Sequence, residues 1–195
     1  MQQKLKTGKT VGGARVVNGY ILLQQIGKGT FGVVKLCQKQ DTGEKFAIKI
    51  IDKKLFDNKF KSKHQGSLED MRREAAIMKR LNHPNVVNLI DVIDDPSADQ
   101  LYLVQEYCEK GAIMEKLEGN HPLPEATARQ YFRDLLQGID YLHAHSIIHR
   151  DIKPMNLLLT ADGVVKIGDF GAARVLQGGT KVNFSTATTV FVLFV

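Results

Sequence analysis

One stretch limits this chain more than any other: HRDIKPMN, His149 to Asn156. Five specified residue types at these spacings recur by chance about once in ten thousand chains of this length, far below the false-positive rate of an ordinary short motif. Thirteen residues after Asn156 stands DFG, at Asp169, Phe170 and Gly171. Between the two, LLLTADGVVKIG predicts a hairpin turning at Ala161 to Gly163. Such a hairpin can gather the carboxylates of Asp151 and Asp169 and the amide of Asn156, and oxygen donors of this kind are what Mg²⁺ takes.

Upstream, GKGTFGVV places Gly27, Gly29 and Gly32 in a GxGxxGxV pattern, where glycines let the backbone close over phosphates without side-chain obstruction. A dinucleotide-binding turn would need a helix immediately afterwards, and VVKLC reads as a strand. Seventeen residues past Gly32, Lys49 lies inside FAIKII. A lysine in such a strand is costly unless an anion or a carboxylate meets it, and Glu74 on the following helix is the candidate partner.

The order of elements is that of an α+β chain. YILLQQI, GVVKLCQK and EKFAIKII predict three antiparallel strands, and NVVNLIDVID and QLYLVQEY two more. Residues 1–17, aperiodic and with glycine and lysine, read as a flexible leader, with order beginning near Tyr20. A lysine-rich insert precedes SLEDMRREAAIMKRLNHP, a helix with a capping pattern at Ser67 and Asp70 and a face of Leu68, Met71, Ala75 and Met78. EATARQYFRDLLQGIDYLHAH predicts the clearest amphipathic helix, with Ala128, Tyr131, Phe132, Leu135, Leu136, Ile139 and Leu142 on its apolar face.

Composition narrows the partners only after these motifs. A formal charge of +6 and a pI near 9.3 suit a polyphosphate site as well as a nucleic acid. No recognition-helix or aromatic RNA-binding pattern accompanies the charge, so no nucleic-acid partner is expected. Cys37 and Cys108 form no CxxC pair, which excludes a zinc knuckle and a disulfide framework and leaves both as small buried hydrophobes. His143, His145 and His149 lack the spacing that converges on a metal. The start has no secretory apolar run, and the reading is a cytoplasmic protein, with the nucleus also open to it.

Glycine loop, strand lysine, helix glutamate, HRDIKPMN and DFG occur in the order of the eukaryotic protein kinases, which the chain resembles from about Tyr20 to Arg174. Lys153, two residues after Asp151, resembles the serine/threonine type. The resemblance implies a protein-kinase-like fold: an N-lobe and hinge over residues 18–108, with a five-stranded antiparallel sheet and one regulatory helix, and a partial helical C-lobe over 109–189. It implies ATP and Mg²⁺ as cofactors and γ-phosphoryl transfer to a protein hydroxyl. Gly27, Gly29 and Gly32 would cover the phosphates, and Lys49, steadied by Glu74, would hold them. Ile26, Val34, Ala47 and Leu158 would enclose the base, Glu106 and Cys108 would meet its edge through their backbone, and Gln105 would take the gatekeeper position. Asn156 and Asp169 would bind Mg²⁺, Asp151 would orient the substrate hydroxyl and accept its proton, and Lys153 would offset charge on the transferring group. Met78, Leu89, His149 and Phe170 match the family's internal hydrophobic stack.

Within that family, VVNLIDVIDDPSADQLYLVQEYCEKGAIME is similar to the calcium/calmodulin-dependent protein kinase kinases, which implies a downstream kinase among the candidate substrates. No calmodulin-binding segment is expected in this chain. After DFG the activation segment should carry Ser185, Thr186, Thr188 and Thr189, but neither APE nor the following helices are found. The apolar tail 190–195 is far short of the ~20 residues that span a bilayer, and the reading frame is expected to leave the kinase sequence near Val190. Two readings follow: a serine/threonine kinase, or a catalytically impaired nucleotide-binding or regulatory fragment of one.

Overall fold

The computed structural model describes residues 3–29, 32–54, 68–113 and 123–176. These fall into two compact units, one from Met1–Lys79 with Leu89–Tyr107, the other from Arg80–Asn88 with Cys108–Val195.

The first unit is built on an antiparallel sheet of seven strands among the described residues: β1 (Thr7–Lys9), β2 (Arg15–Val17), β3 (Tyr20–Gly29), β4 (Gly32–Lys39), β5 (Lys45–Asp52), β6 (Leu89–Asp94) and β7 (Gln100–Glu106), in the spatial order β1-β2-β3-β4-β5-β7-β6. Side chains alternate across the sheet, so each face has its own core. Phe46, Ile48 and Ile50 of β5 join Tyr102 and Val104 of β7 on one face, with Val17, Tyr20, Leu22, Cys37 and Ile93. Ile51, Leu101 and Leu103 point the other way, with Val92, and meet Met71 and Ala75 of the helix α1 (Leu68–Met78).

The expectation of five strands behind a flexible leader is corrected here. Residues 7–9 and 15–17 are strands, and Val17 pairs with Tyr20 across an Asn18-Gly19 turn whose φ angles are both positive, 47° and 86°. Asn-Gly between two apolar runs is a strong two-residue hairpin signal. The physical reason is the second face of the sheet: α1 covers only one, and Leu5 packs on the other. Further bonds hold the segment, from Leu5 N–H to Asp95 Oδ2 (2.9 Å), Gln3 Nε2 to Asp91 Oδ1 (3.0 Å) and Arg15 to the Tyr102 hydroxyl (2.8 Å).

In the second unit, α2 (Glu125–Ala144) lies against a small hairpin of β9 (Leu157–Leu159) and β10 (Val165–Ile167), and β8 (Ile147–Ile148) pairs with β11 (Arg174–Val175). The face α2 buries is the expected one in part, with Ala128, Tyr131 and Ile139 half-buried on it. Leu135 and Leu142 are buried with Asp134 and Gly138, whereas Phe132 and Leu136 are 39% and 48% exposed. Asp134 goes inward because its carboxylate accepts the Val165 N–H at 3.0 Å and the Gln130 amide at 2.7 Å. The segment Arg80–Asn88, expected with the first region, belongs to this unit. It is bound to β10 through Val87 N–H to Ile167 O and Ile167 N–H to Asn85 O, both 2.9 Å. The lysine-rich insert from residue 55 on, Ser67 of the cap, the activation-segment hydroxyls and the apolar tail lie outside the described residues. Among the described residues no helix is long and apolar enough to cross a membrane.

Candidate active site

The first unit carries a row across four strands. Val34 stands opposite Gly27 on β3 and opposite Lys49 on β5, and Ala47 opposite Gln105 on β7. Directly opposed residues share a face, so Val34, Ala47, Lys49 and Gln105 all lie on the side that meets α1. Ile26, in the register shift just before Gly27, is 43% exposed. At Gly32 a Cβ would run into the Ile50 carbonyl oxygen, so the strand register itself demands glycine there, apart from any role with phosphates.

Lys49 reaches α1. Its Nζ is 3.4 Å from Glu74 Oε1, with the Glu74 side chain 1% exposed and that of Lys49 21%. The pair joins a strand and a helix 25 residues apart. Taking two charges this far from water is costly, and the pair offsets that cost only while both partners are in place. Next to it, Gln105 Nε2 lies 3.6 Å from the sulfur of buried Met78.

The second unit carries a loop that ties itself together. Asn156 Nδ2 donates to both the carbonyl oxygen and Oδ2 of Asp151, at 2.8 and 2.9 Å. Lys153 Nζ is 2.8 Å from the same Asp151 Oδ2. The Asn156 carbonyl accepts the Gly168 N–H at 2.9 Å, which sets Asp169 one residue beyond a direct contact with the loop. Asp169 has φ 58°, in the left-handed region that Asp tolerates better than most residues, and its side is exposed. Leu158 follows on β9, half-buried and bridged to Ala112. Cys108 is buried, its carbonyl accepting the Gly111 N–H at 3.2 Å, and Glu106 closes β7 opposite Phe46.

The residue that sequence reading undervalued is His149, expected only as part of an apolar stack. It does meet Phe170 edge-on, with ring centroids 4.9 Å apart. Its two nitrogens also brace the loop: Nδ1 accepts the Asp151 N–H at 3.3 Å and Nε2 donates to the Gly168 carbonyl at 3.0 Å. That arrangement requires a neutral imidazole, and burial, partly opposed by the Gly168 bond, lowers its pKa. Arg150 adds a second brace, donating from Nε to Ala172 O at 2.7 Å. Burial pushes the Cys37 thiol up to about 12, so it stays protonated and inert.

The donor chemistry of the second unit fits a hard cation. With both amide hydrogens of Asn156 turned toward Asp151, the atom left for a cation is its oxygen, and the Asp169 carboxylate is a second oxygen donor. Among the described residues no group of three or more His, Cys, Asp or Glu forms a metal cage. A site of one carboxylate and one amide suits Mg²⁺, which keeps waters and takes phosphate oxygens for its remaining positions.

A model of the protein kinase domain matches residues 20–192. The chain belongs to the protein kinase family. This kinase chain is 43% identical over 189 residues to a calcium/calmodulin-dependent protein kinase kinase of Caenorhabditis elegans, an alignment covering 89% of the chain and 35% of that protein. It is 42% identical over 180 residues to a probable serine/threonine-protein kinase of Dictyostelium discoideum, covering 92% of the chain and 25% of the relative. With the serine/threonine-protein kinase GRIK2 of Arabidopsis thaliana the identity is 40% over 189 residues, 96% of the chain and 46% of the relative. The kinase chain thus spans between a quarter and a half of these relatives' length.

Proposed function

We propose that this kinase domain binds MgATP and transfers the γ-phosphoryl group to a serine or threonine hydroxyl of a protein substrate. The observation that carries the reading is the Asp151 cluster: a carboxylate held by Asn156 and flanked by the ammonium of Lys153 at 2.8 Å. In such a step the substrate oxygen forms a bond to the γ-phosphorus, the bond from that phosphorus to the β–γ bridging oxygen breaks, and ADP leaves. Asp151 accepts the hydroxyl proton and aims the oxygen, and Lys153 neutralises charge gathering on the transferred group. Lys49, held by Glu74, binds the α- and β-phosphates, which Gly27, Gly29 and Gly32 cover. Val34, Ala47, Ile26 and Leu158 take the adenine, whose edge meets the backbone of Glu106 and Cys108. Asn156 and Asp169 would hold Mg²⁺, which supplies charge neutralisation at the phosphates.

The serine/threonine assignment rests on Lys153 and on the names of the relatives, and the similarity to a kinase that acts on kinases makes a downstream kinase the first substrate class to try. A cytoplasmic location fits that role. The test is radiolabelled phosphotransfer from MgATP to a panel of kinase activation-segment peptides, with Asp151→Asn as control. Incorporation reduced about a thousandfold by the substitution, with nucleotide affinity within about twofold, is the expected result. Incorporation insensitive to Asp151→Asn, or no affinity for MgATP, rejects the reading.

A further inference from the structure

A second ion pair of α1 lies outside the site described above. Asp94, the last residue of β6, is buried, and its Oδ2 accepts from Arg72 Nε at 2.9 Å while its Oδ1 lies 2.7 Å from Lys53 Nζ. The turn that carries Asp94 is fixed by several bonds. Lys53 Nζ donates to the Asp95 carbonyl at 2.7 Å, Lys53 N–H donates to Asp99 O at 2.8 Å, and the Asp95 carboxylate accepts from the Ser97 N–H and hydroxyl at 2.9 and 2.6 Å. Burial alone would push the Asp94 carboxyl up, and the hydrogen bonds and charges of Lys53 and Arg72 outweigh it and hold the group below its ordinary value. At neutral pH it is therefore an anion on a rigid mount.

The position of Arg72 on the helix gives this anchor its meaning. With about 100° of turn per residue, Arg72 lies on one flank of the buried stripe of Met71, Ala75 and Met78, and Glu74 lies on the opposite flank. Apolar burial sets how close a helix sits to a sheet, but it is non-directional and fixes rotation about the helix axis weakly. Two directed ion pairs on opposite flanks fix it well. We propose that Asp94, acting through Arg72, is a positioning residue that sets the roll of α1 and with it the reach of Glu74 to Lys49. Its consequence for nucleotide binding rests on the kinase reading above; its consequence for the helix rests on geometry alone.

The experiment uses the full chain with Arg72→Gln and Arg72→Lys, chosen because Arg72 is half-exposed and its loss leaves the Asp94–Lys53 pair intact. Each is made in the native background and together with Lys49→Met. Affinity for a fluorescent ATP analogue with Mg²⁺, and hydrogen exchange of the α1 amides, are measured. Arg72→Gln should weaken binding about fivefold, Arg72→Lys should recover most of that, and the loss should vanish in the Lys49→Met background, because groups acting through one another are not additive. An equal loss in both backgrounds, or none, overturns the proposal. Where a background binds no nucleotide, exchange decides: amides of residues 74–78 exchanging about tenfold faster in Arg72→Gln support it, and unchanged rates overturn it. A native chain without nucleotide affinity would reject the kinase reading separately, leaving the exchange result to stand.

Discussion

The two charged clusters of this protein are held in opposite ways. Lys49 and Glu74 come from a strand and a helix, 25 residues apart, and meet at 3.4 Å across an interface in which Met71 and Ala75 seat α1 on the sheet. Asp151, Lys153 and Asn156 lie within six residues, and their mutual bonds of 2.8 and 2.9 Å stay inside one loop. The first arrangement is as good as the packing behind it; the second carries much of its order locally. Damage to packing should therefore reach the lysine before it reaches the loop.

Lys49→Met should be the most destabilising change in this comparison. It strips a buried carboxylate of its ammonium, at a cost of about 3 kcal/mol, read as a lowered denaturant midpoint. A loss no larger than that of an exposed charge would show that Glu74 is not dependent on Lys49. Asn156→Ala should cost less, about 2 kcal/mol, since it removes two bonds to Asp151 while His149 and Gly168 still brace the loop. Comparing hydrogen exchange in the two variants sharpens the contrast: α1 should loosen in the first and residues 149–156 in the second.

The smallest expected effect is one of pH. Burial lowers the pKa of His149, and that of His83, whose second influence is Lys166. For a folded-state imidazole lowered below its ordinary value of about 6.5, the unfolded chain binds more protons in the interval between the two values. Stability is thus full above that ordinary value and declines as the pH falls through the interval. Protonation would also turn His149 Nδ1 from acceptor to donor against the Asp151 N–H, so the loop itself should respond to acid. Urea midpoints between pH 7.5 and 5.5 should show the slope, and His149→Gln should flatten it.

The same contrast explains how much could be read from the string of residues. The loop was legible because its order is local: HRDIKPMN and DFG are separated by a hairpin whose turn is written in TADG. Five strands were legible from alternation and turn residues. The N-terminal strands were not, although VVNGY contained the Asn-Gly signal, because three-residue strands are too short for periodicity to register. Asp134 defeated the reading of α2 because its partner, the Val165 N–H, lies 31 residues away. The pairing of Arg72 with Asp94 has no local signature in the sequence, because the two stand 22 residues apart on different elements.

The kinase-domain match begins at Tyr20, the very residue that Val17 pairs with. Anyone trimming an expression plasmid to that limit would unzip two strands from the sheet and open the apolar cluster that Val17 shares with Leu22 and Phe46. The resulting product should be sticky and poor in yield, and its failure would easily be blamed on the wrong end of the polypeptide.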